Sequence, residues 1–150
     1  MWNPKNYRLH LDYWGLWLFI MIMMPNLIWM GIPAPHDIFR RESLTPVLDV
    51  IVSIVQVFLV AFLCLFVNRR GQSAVEQKSM LGICFSVTIY LFGWIFYYIG
   101  FHGSILILIL SLSPCAAFLF YAWSRQNGPA FTITIVFAVL HTIQGILNYT

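Results

Sequence analysis

SMLGICFSVTIYLFGWIFYYIGFHGSILILILSLSPCAAFLFYAWS, residues 79–124, contains no Asp, Glu, Lys or Arg at any of its 46 positions. As a single helix it would be roughly 69 Å long, at ~1.5 Å rise per residue. A bilayer's hydrocarbon core is only ~30 Å thick. The run must therefore fold back on itself, and Gly100-Phe101-His102-Gly103 near its middle is where it turns. Two membrane helices joined by a tight hairpin follow, and they set the class of the whole chain.

Composition extends that conclusion outward. Of 150 residues, 61% are hydrophobic and only 9% charged, against ~25% charged in soluble domains. Too few polar side chains exist to coat a soluble surface, so lipid must solvate most of them. The net charge of +3 arises from the loops, and no basic stripe interleaved with aromatics marks a nucleic-acid partner. Cys64, Cys84 and Cys115 all lie in apolar runs, with no Cys-x-x-Cys pair and no His at ligand spacing. They read as packing residues, with no metal or cofactor implied.

Three further apolar windows flank the hairpin. The spans are expected at about 13–33, 46–67, 80–99, 104–123 and 129–149, each near the ~20 residues a crossing needs. Helix is the expected form, because an unpaired backbone is too costly in hydrocarbon and no alternating barrel pattern occurs. Lys5 and Arg8 before an apolar stretch resemble a secretory signal, but Tyr13 to about Ile32 exceeds the ~7–15 residues of a signal's apolar region. It is read as a retained first span. Thr45-Pro46 and Gly128-Pro129 open the second and fifth helices with proline at the first helical position. The loops are short, so the chain is a single membrane domain, 1–150, and the fold class is an all-α integral membrane bundle of five transmembrane helices.

With five spans, Lys5, Arg8, Arg69, Arg70, Lys78 and Arg125 fall on one side, and Arg40 and Arg41 on the other. The positive-inside rule puts the N-terminus in the cytoplasm and the C-terminus outside, for a multi-pass protein of the cell membrane. Trp2, Tyr7, Trp14, Trp29, Tyr97, Tyr98, Tyr121, Trp123 and Tyr149 cluster near span ends, where an interfacial aromatic belt belongs. No internal repeat of the kind that marks many transporters is visible.

Polar residues inside the spans carry the functional information. Pro25 frees a carbonyl of the first helix, and Asn26 beside it can satisfy backbone or reach a neighbour. Asp49, Ser53 and Gln56 share one face of the second helix at i, i+4 and i+7. If Thr45 is the N-cap, Asp49 sits in the second turn near the interface; Gln56, deeper on the same face, argues instead for an inward stripe. Thr134, Ala138, His141, Gly145 and Asn148 fall in one sector of the fifth helix with Gln144 beside it. These groups serve either interhelical hydrogen bonding or a functional pocket. Gly82, Ser86, Gly93 and Tyr97 make the third helix the expected centre of packing.

In the expected orientation Asn26, Asp49, Tyr97, His141 and Gln144 all lie in the outer half, Gln56 lies near the middle, and the inner half is nearly bare. The expectation is a polar pocket in the outer half, walled by Trp29, Trp94 and Tyr97. Its candidate ligand-binding residues are Asn26, Asp49, Ser53, Gln56, Trp94, Tyr97, His141 and Gln144. A phosphate loop, zinc motif, nucleophile elbow and paired aspartates are all missing, so catalysis is not expected. The favoured function is binding of a small molecule or lipid, or an accessory role beside a larger membrane partner or a second copy. The alternative is a small proton-coupled transporter in which Asp49 and His141 titrate.

Met24-Pro25-Asn26-Leu27-Ile28-Trp29, ending the first span ahead of a short Pro-containing loop, resembles the opening of small uncharacterised multi-span bacterial membrane proteins. The resemblance covers the first third of the chain and implies no activity. Trp2-Asn3-Pro4 precedes the first span, unlike the placement in five-span tryptophan-rich sensory proteins, and the Pro-Gln pair of semi-SWEET transporters is missing.

Overall fold

The computed structural model describes residues 6–69 and 74–150; Trp2, Lys5 and Arg70 lie outside the described residues. Among the described residues, five helices are each long and apolar enough to cross a membrane. They are α1 (Tyr13–Gly31), α2 (Pro46–Leu65), α3 (Gln77–Ile99), α4 (Ser104–Ser124) and α5 (Gly128–Tyr149). Large apolar side chains such as Trp17, Val57, Leu81 and Phe85 stand on their outer surfaces, as a lipid-solvated exterior requires.

The α3–α4 hairpin turns where the glycines stand. Gly100 adopts φ +98 as the left-handed cap of α3. Its N–H reaches Tyr97 O at 3.0 Å while Phe101 N–H reaches Phe96 O at 3.0 Å, the paired bonds of a Schellman motif. Helix α3 starts earlier than the charge-free window because Gln77 and Lys78 are already helical beyond the Glu76 cap. Helix α2 ends two residues early. Phe66–Asn68 forms a strand, β2, antiparallel to β1 (Tyr7–Leu9), with Arg8 opposite Val67. This ribbon was not expected, and it has a purpose at the helix end. The His10 and Asp12 amides donate to the Leu65 and Cys64 carbonyls at 2.9 and 2.7 Å, and the Asn127 amide donates to the Phe62 and Phe66 carbonyls at 2.9 and 2.7 Å. Carbonyls that a helix C-terminus leaves orphaned are thus satisfied without a glycine cap.

α3 packs on α4, α4 on α5 and α5 on α2, and α1 closes the ring with sparser contacts to α2, α3 and α4. The centre of packing is α4 rather than α3: 56% of its apolar stretch is buried against 39% for α3. The small residues of the other helices explain this. A Cβ on Gly82 would meet the Phe120 ring at 2.8 Å, one on Gly145 would meet Ile107 at 2.9 Å, and one on Gly15 would meet the Leu63 carbonyl oxygen at 2.8 Å and the Tyr121 ring at 3.2 Å. The glycines are the holes; α4 supplies most of the knobs.

The two ends of the bundle differ. At one end, Asp12 and Arg125 form a salt bridge of 3.1 Å with side chains only 7% and 13% exposed. Asn127 caps α5 through Ala130 N, and the Ser124 hydroxyl accepts from Glu76 N at 2.7 Å. These polar groups sit at helix ends, outside the expected spans, where they satisfy backbone. At the other end the α1–α2 connection folds inward, burying Ala34 and Ile38.

Candidate functional site

A cavity of ≈ 350 Å³ opens inside the ring, with walls from all five helices. On α1 its wall runs from Phe19 to Trp29, roughly 15 Å at ~1.5 Å per residue. The stripe exists because Phe19, Ile22, Met23, Asn26 and Trp29 repeat at helical spacing. Apolar groups dominate deeper in, where Leu59, Val60 and Phe118 contribute. Polar groups gather toward the end covered by the α1–α2 connection.

Of the candidate residues, Asn26, Gln56, Trp94, His141 and Gln144 line the cavity, as does Trp29. Asp49, Ser53 and Tyr97 are not among its lining residues. Ser53 is exposed and its hydroxyl donates to the Asp49 carbonyl at 2.8 Å, closing a local i−4 bond on the outside of α2. Tyr97 is 0% exposed; its hydroxyl donates to Asp37 Oδ1 at 2.6 Å and accepts from Phe39 N at 3.3 Å. Tyr121, also read as an interfacial residue, is likewise buried at 2% exposure. Both rings pack between helices, whereas Trp14 and Trp123 do stand outward.

Asp49 stands behind the cavity wall in a chain of side-chain bonds. Gln144 Nε2 donates to Asp49 Oδ1 at 2.7 Å, and Gln144 Oε1 lies 3.1 Å from His141 Nδ1. An ionised carboxylate only accepts, so Gln144 must turn its NH₂ toward Asp49 and its oxygen toward the imidazole. That fixes a neutral His141 as the Nδ1–H tautomer and leaves Nε2 as an acceptor. The ring is held flat against Phe137, with centroids 5.0 Å apart and planes 14° apart. Asn148 continues the chain, donating to Thr45 Oγ1 at 2.9 Å and accepting from Leu44 N at 2.8 Å. Thr45 precedes α2 as expected, but its side chain makes no capping bond; it is taken by Asn148.

Other polar atoms of the lining are less committed. Asn26 Nδ2 donates to the Tyr90 hydroxyl at 2.7 Å and to the Ile22 carbonyl at 3.4 Å, which spends its donors and leaves Oδ1 as an acceptor. Gln56 and Ser111 line the cavity and make no side-chain hydrogen bond among the described residues. Ser111 is buried on α4 and joins the lining beside Pro114.

Sequence reasoning missed the residue that builds the lid. Asp37, which caps a 3-10 turn (Ile38–Arg40) between α1 and α2, accepts from Trp29 Nε1 at 2.7 Å, from the Tyr97 hydroxyl at 2.6 Å and from Phe39 N at 3.1 Å. Arg40 pairs with it at 3.3 Å. The turn drives Phe39 into the end of the cavity, where its ring stacks on Tyr97 at 4.6 Å and meets Tyr149 edge-on at 4.9 Å. The available signal was Asp37 two residues before Phe39, the spacing of a local side-chain-to-backbone turn. The partners, 8 and 60 residues away in sequence, left no trace in it.

The chain matches no family model, no curated protein and no solved structure.

Proposed function

We propose that this chain is a non-enzymatic multi-pass protein of the cell membrane that binds a small molecule or lipid in its interhelical cavity. The observation that carries the proposal is the cavity itself: ≈ 350 Å³, mostly apolar, with Asn26, Gln56, Ser111 and His141 presenting hydrogen-bonding atoms to it. A few convergent polar groups in an apolar recess are the usual anatomy of a small-molecule site. The cation count, six against two, supports a cytoplasmic N-terminus and an external C-terminus, an orientation in which the lid end of the cavity, with Asn26 and Gln144, faces outward.

The test is native mass spectrometry of the full chain released from its own membranes in mild detergent. Wild type is expected to carry a bound small molecule or lipid of defined mass. Ser111→Leu, which fills the cavity from α4, is expected to lose it. Spectra without any such adduct, or an adduct indifferent to Ser111→Leu, sink the binding proposal. A stoichiometric protein partner in the same spectra supports the accessory role.

The His141–Gln144–Asp49 chain favours a second reading, proton-coupled transport. Asp49→Asn keeps an acceptor for Gln144 and abolishes titration. Under transport, uptake of the bound compound into vesicles is lost while expression and melting hold. Under simple binding, Asp49→Asn leaves occupancy unchanged.

A further inference from the structure

The cavity also specifies the chemistry of what it holds, an inference that rests on the binding proposal above. No Asp, Glu, Lys or Arg is among its lining residues. A carboxylate, phosphate or ammonium seated there would be a desolvated charge without a counter-ion, which is among the costliest arrangements available. The nearest charged side chains stand behind the lining and have partners there: Asp49 behind Gln144, and Asp37 with Arg40 behind Trp29. The occupant is therefore neutral where it meets the polar groups.

The bonding capacity on offer is more specific still. Gln144 holds His141 as the Nδ1–H tautomer, so Nε2 calls for a donor. Asn26 has its amide protons engaged by Tyr90 and Ile22, so its oxygen calls for a donor as well. Across the cavity, Gln56 and Ser111 have protons to give. A group that both donates to an imidazole or amide oxygen and accepts from an amide or hydroxyl fits this set. A hydroxyl does so with one atom. Below Asn26 the apolar wall of α1 continues to Phe19, seven residues or roughly 10 Å at ~1.5 Å per residue, and with α2 and α4 it receives a hydrocarbon chain.

We infer that the cavity takes a neutral single-chain amphiphile with a hydroxyl head group, the hydroxyl donating to His141 Nε2 and accepting from Gln56, its hydrocarbon chain lying against α1. Charged-head lipids of the surrounding bilayer are excluded by the same walls.

The experiment uses the full chain in nanodiscs and tritiated 1-decanol, with chain-free discs as the partition blank. Unlabelled 1-decanol, its methyl ether, decanoate and decane are the competitors. Decanol is expected to compete at least tenfold better than each of the other three. Gln56→Leu, which removes a side chain with no hydrogen bond of its own, is expected to weaken decanol at least fivefold and leave decane unchanged. His141→Leu is expected to erase the advantage of decanol over its ether. A methyl ether as good as the alcohol overturns hydroxyl recognition, and a decanoate as good overturns neutrality; in both cases a saturable site remains and the binding proposal stands. Absence of saturable decanol binding overturns this inference, and whether the binding proposal falls with it is read from the native adduct and its loss in Ser111→Leu.

Discussion

Arg125→Ala is expected to destabilise the protein by about 3–5 kcal/mol, the usual cost of removing one partner from a buried ion pair. Asp12 is the reason. Its side chain is 7% exposed, its Oδ2 lies 3.2 Å from Arg125 Nε and 3.1 Å from Nη2, and its Oδ1 caps α1 at Gly15 N. Without Arg125 this carboxylate is left buried and uncompensated, while the segment that carries it still feeds its backbone to the end of α2. The damage therefore reaches α1, α2, α4 and the ribbon together. Thermal unfolding in detergent reads the loss. Replacing both partners, Asp12→Asn with Arg125→Met, is expected to recover more than half of it, because the asparagine still caps α1 and no bare charge remains. If Arg125→Ala melts within a degree of wild type, the pair is not a structural element of this bundle.

Asp37→Ala is expected to release the lid. Two donors lose their acceptor at once, the Trp29 indole and the fully buried Tyr97 hydroxyl. At ~1–3 kcal/mol for a buried group left unsatisfied, Tyr97 sets a local cost of about 1–3 kcal/mol, and the half-buried Trp29 indole adds less. The Arg40 pair adds little, because Arg40 is 47% exposed and exposed ion pairs are worth at most ~1 kcal/mol. The helices do not depend on Asp37, so the loss is confined to the 32–45 connection and to Phe39 at the cavity's end. Limited trypsin digestion measures this directly, since Arg40 and Arg41 stand in that connection. Cleavage after them is expected to accelerate by tenfold or more in Asp37→Ala, with the remainder of the bundle still protected. Equal cleavage rates would mean that the connection is held by its apolar residues alone. Asp37→Asn, which retains one acceptor oxygen, is expected to fall between the two.

Residues 79–124 alone were enough for a helical hairpin, because charge is excluded from hydrocarbon and 46 residues cannot cross once. The remaining spans follow from the same two constraints, and each observed boundary lies within a few residues of the expected one. Periodicity on α1 and α5 also brought Asn26, His141 and Gln144 into view as inward-facing groups, since a lipid-facing amide or imidazole is expensive. These are properties of a segment in its solvent, and a single chain of letters carries them.

What surrounds each side chain is decided between segments, and there the sequence is silent. Asp37 and Asp12 lie in connections, where an acid next to water has no cost and so gives no signal; only packing buries them and supplies Trp29, Tyr97 and Arg125 as partners. Asp49 and Ser53 share a helical face, yet α5 covers the first through Gln144 and leaves the second exposed. Tyr97 and Tyr121 have the composition of interfacial rings and are buried because their neighbours are. The cavity owes its existence to the thin contacts of α1 with a ring whose other members pack closely. Hydropathy fixes how many helices the chain makes, because solvation is summed along each helix; which polar atom meets which is fixed by the fit of one helix against another, and that fit belongs to the tertiary structure.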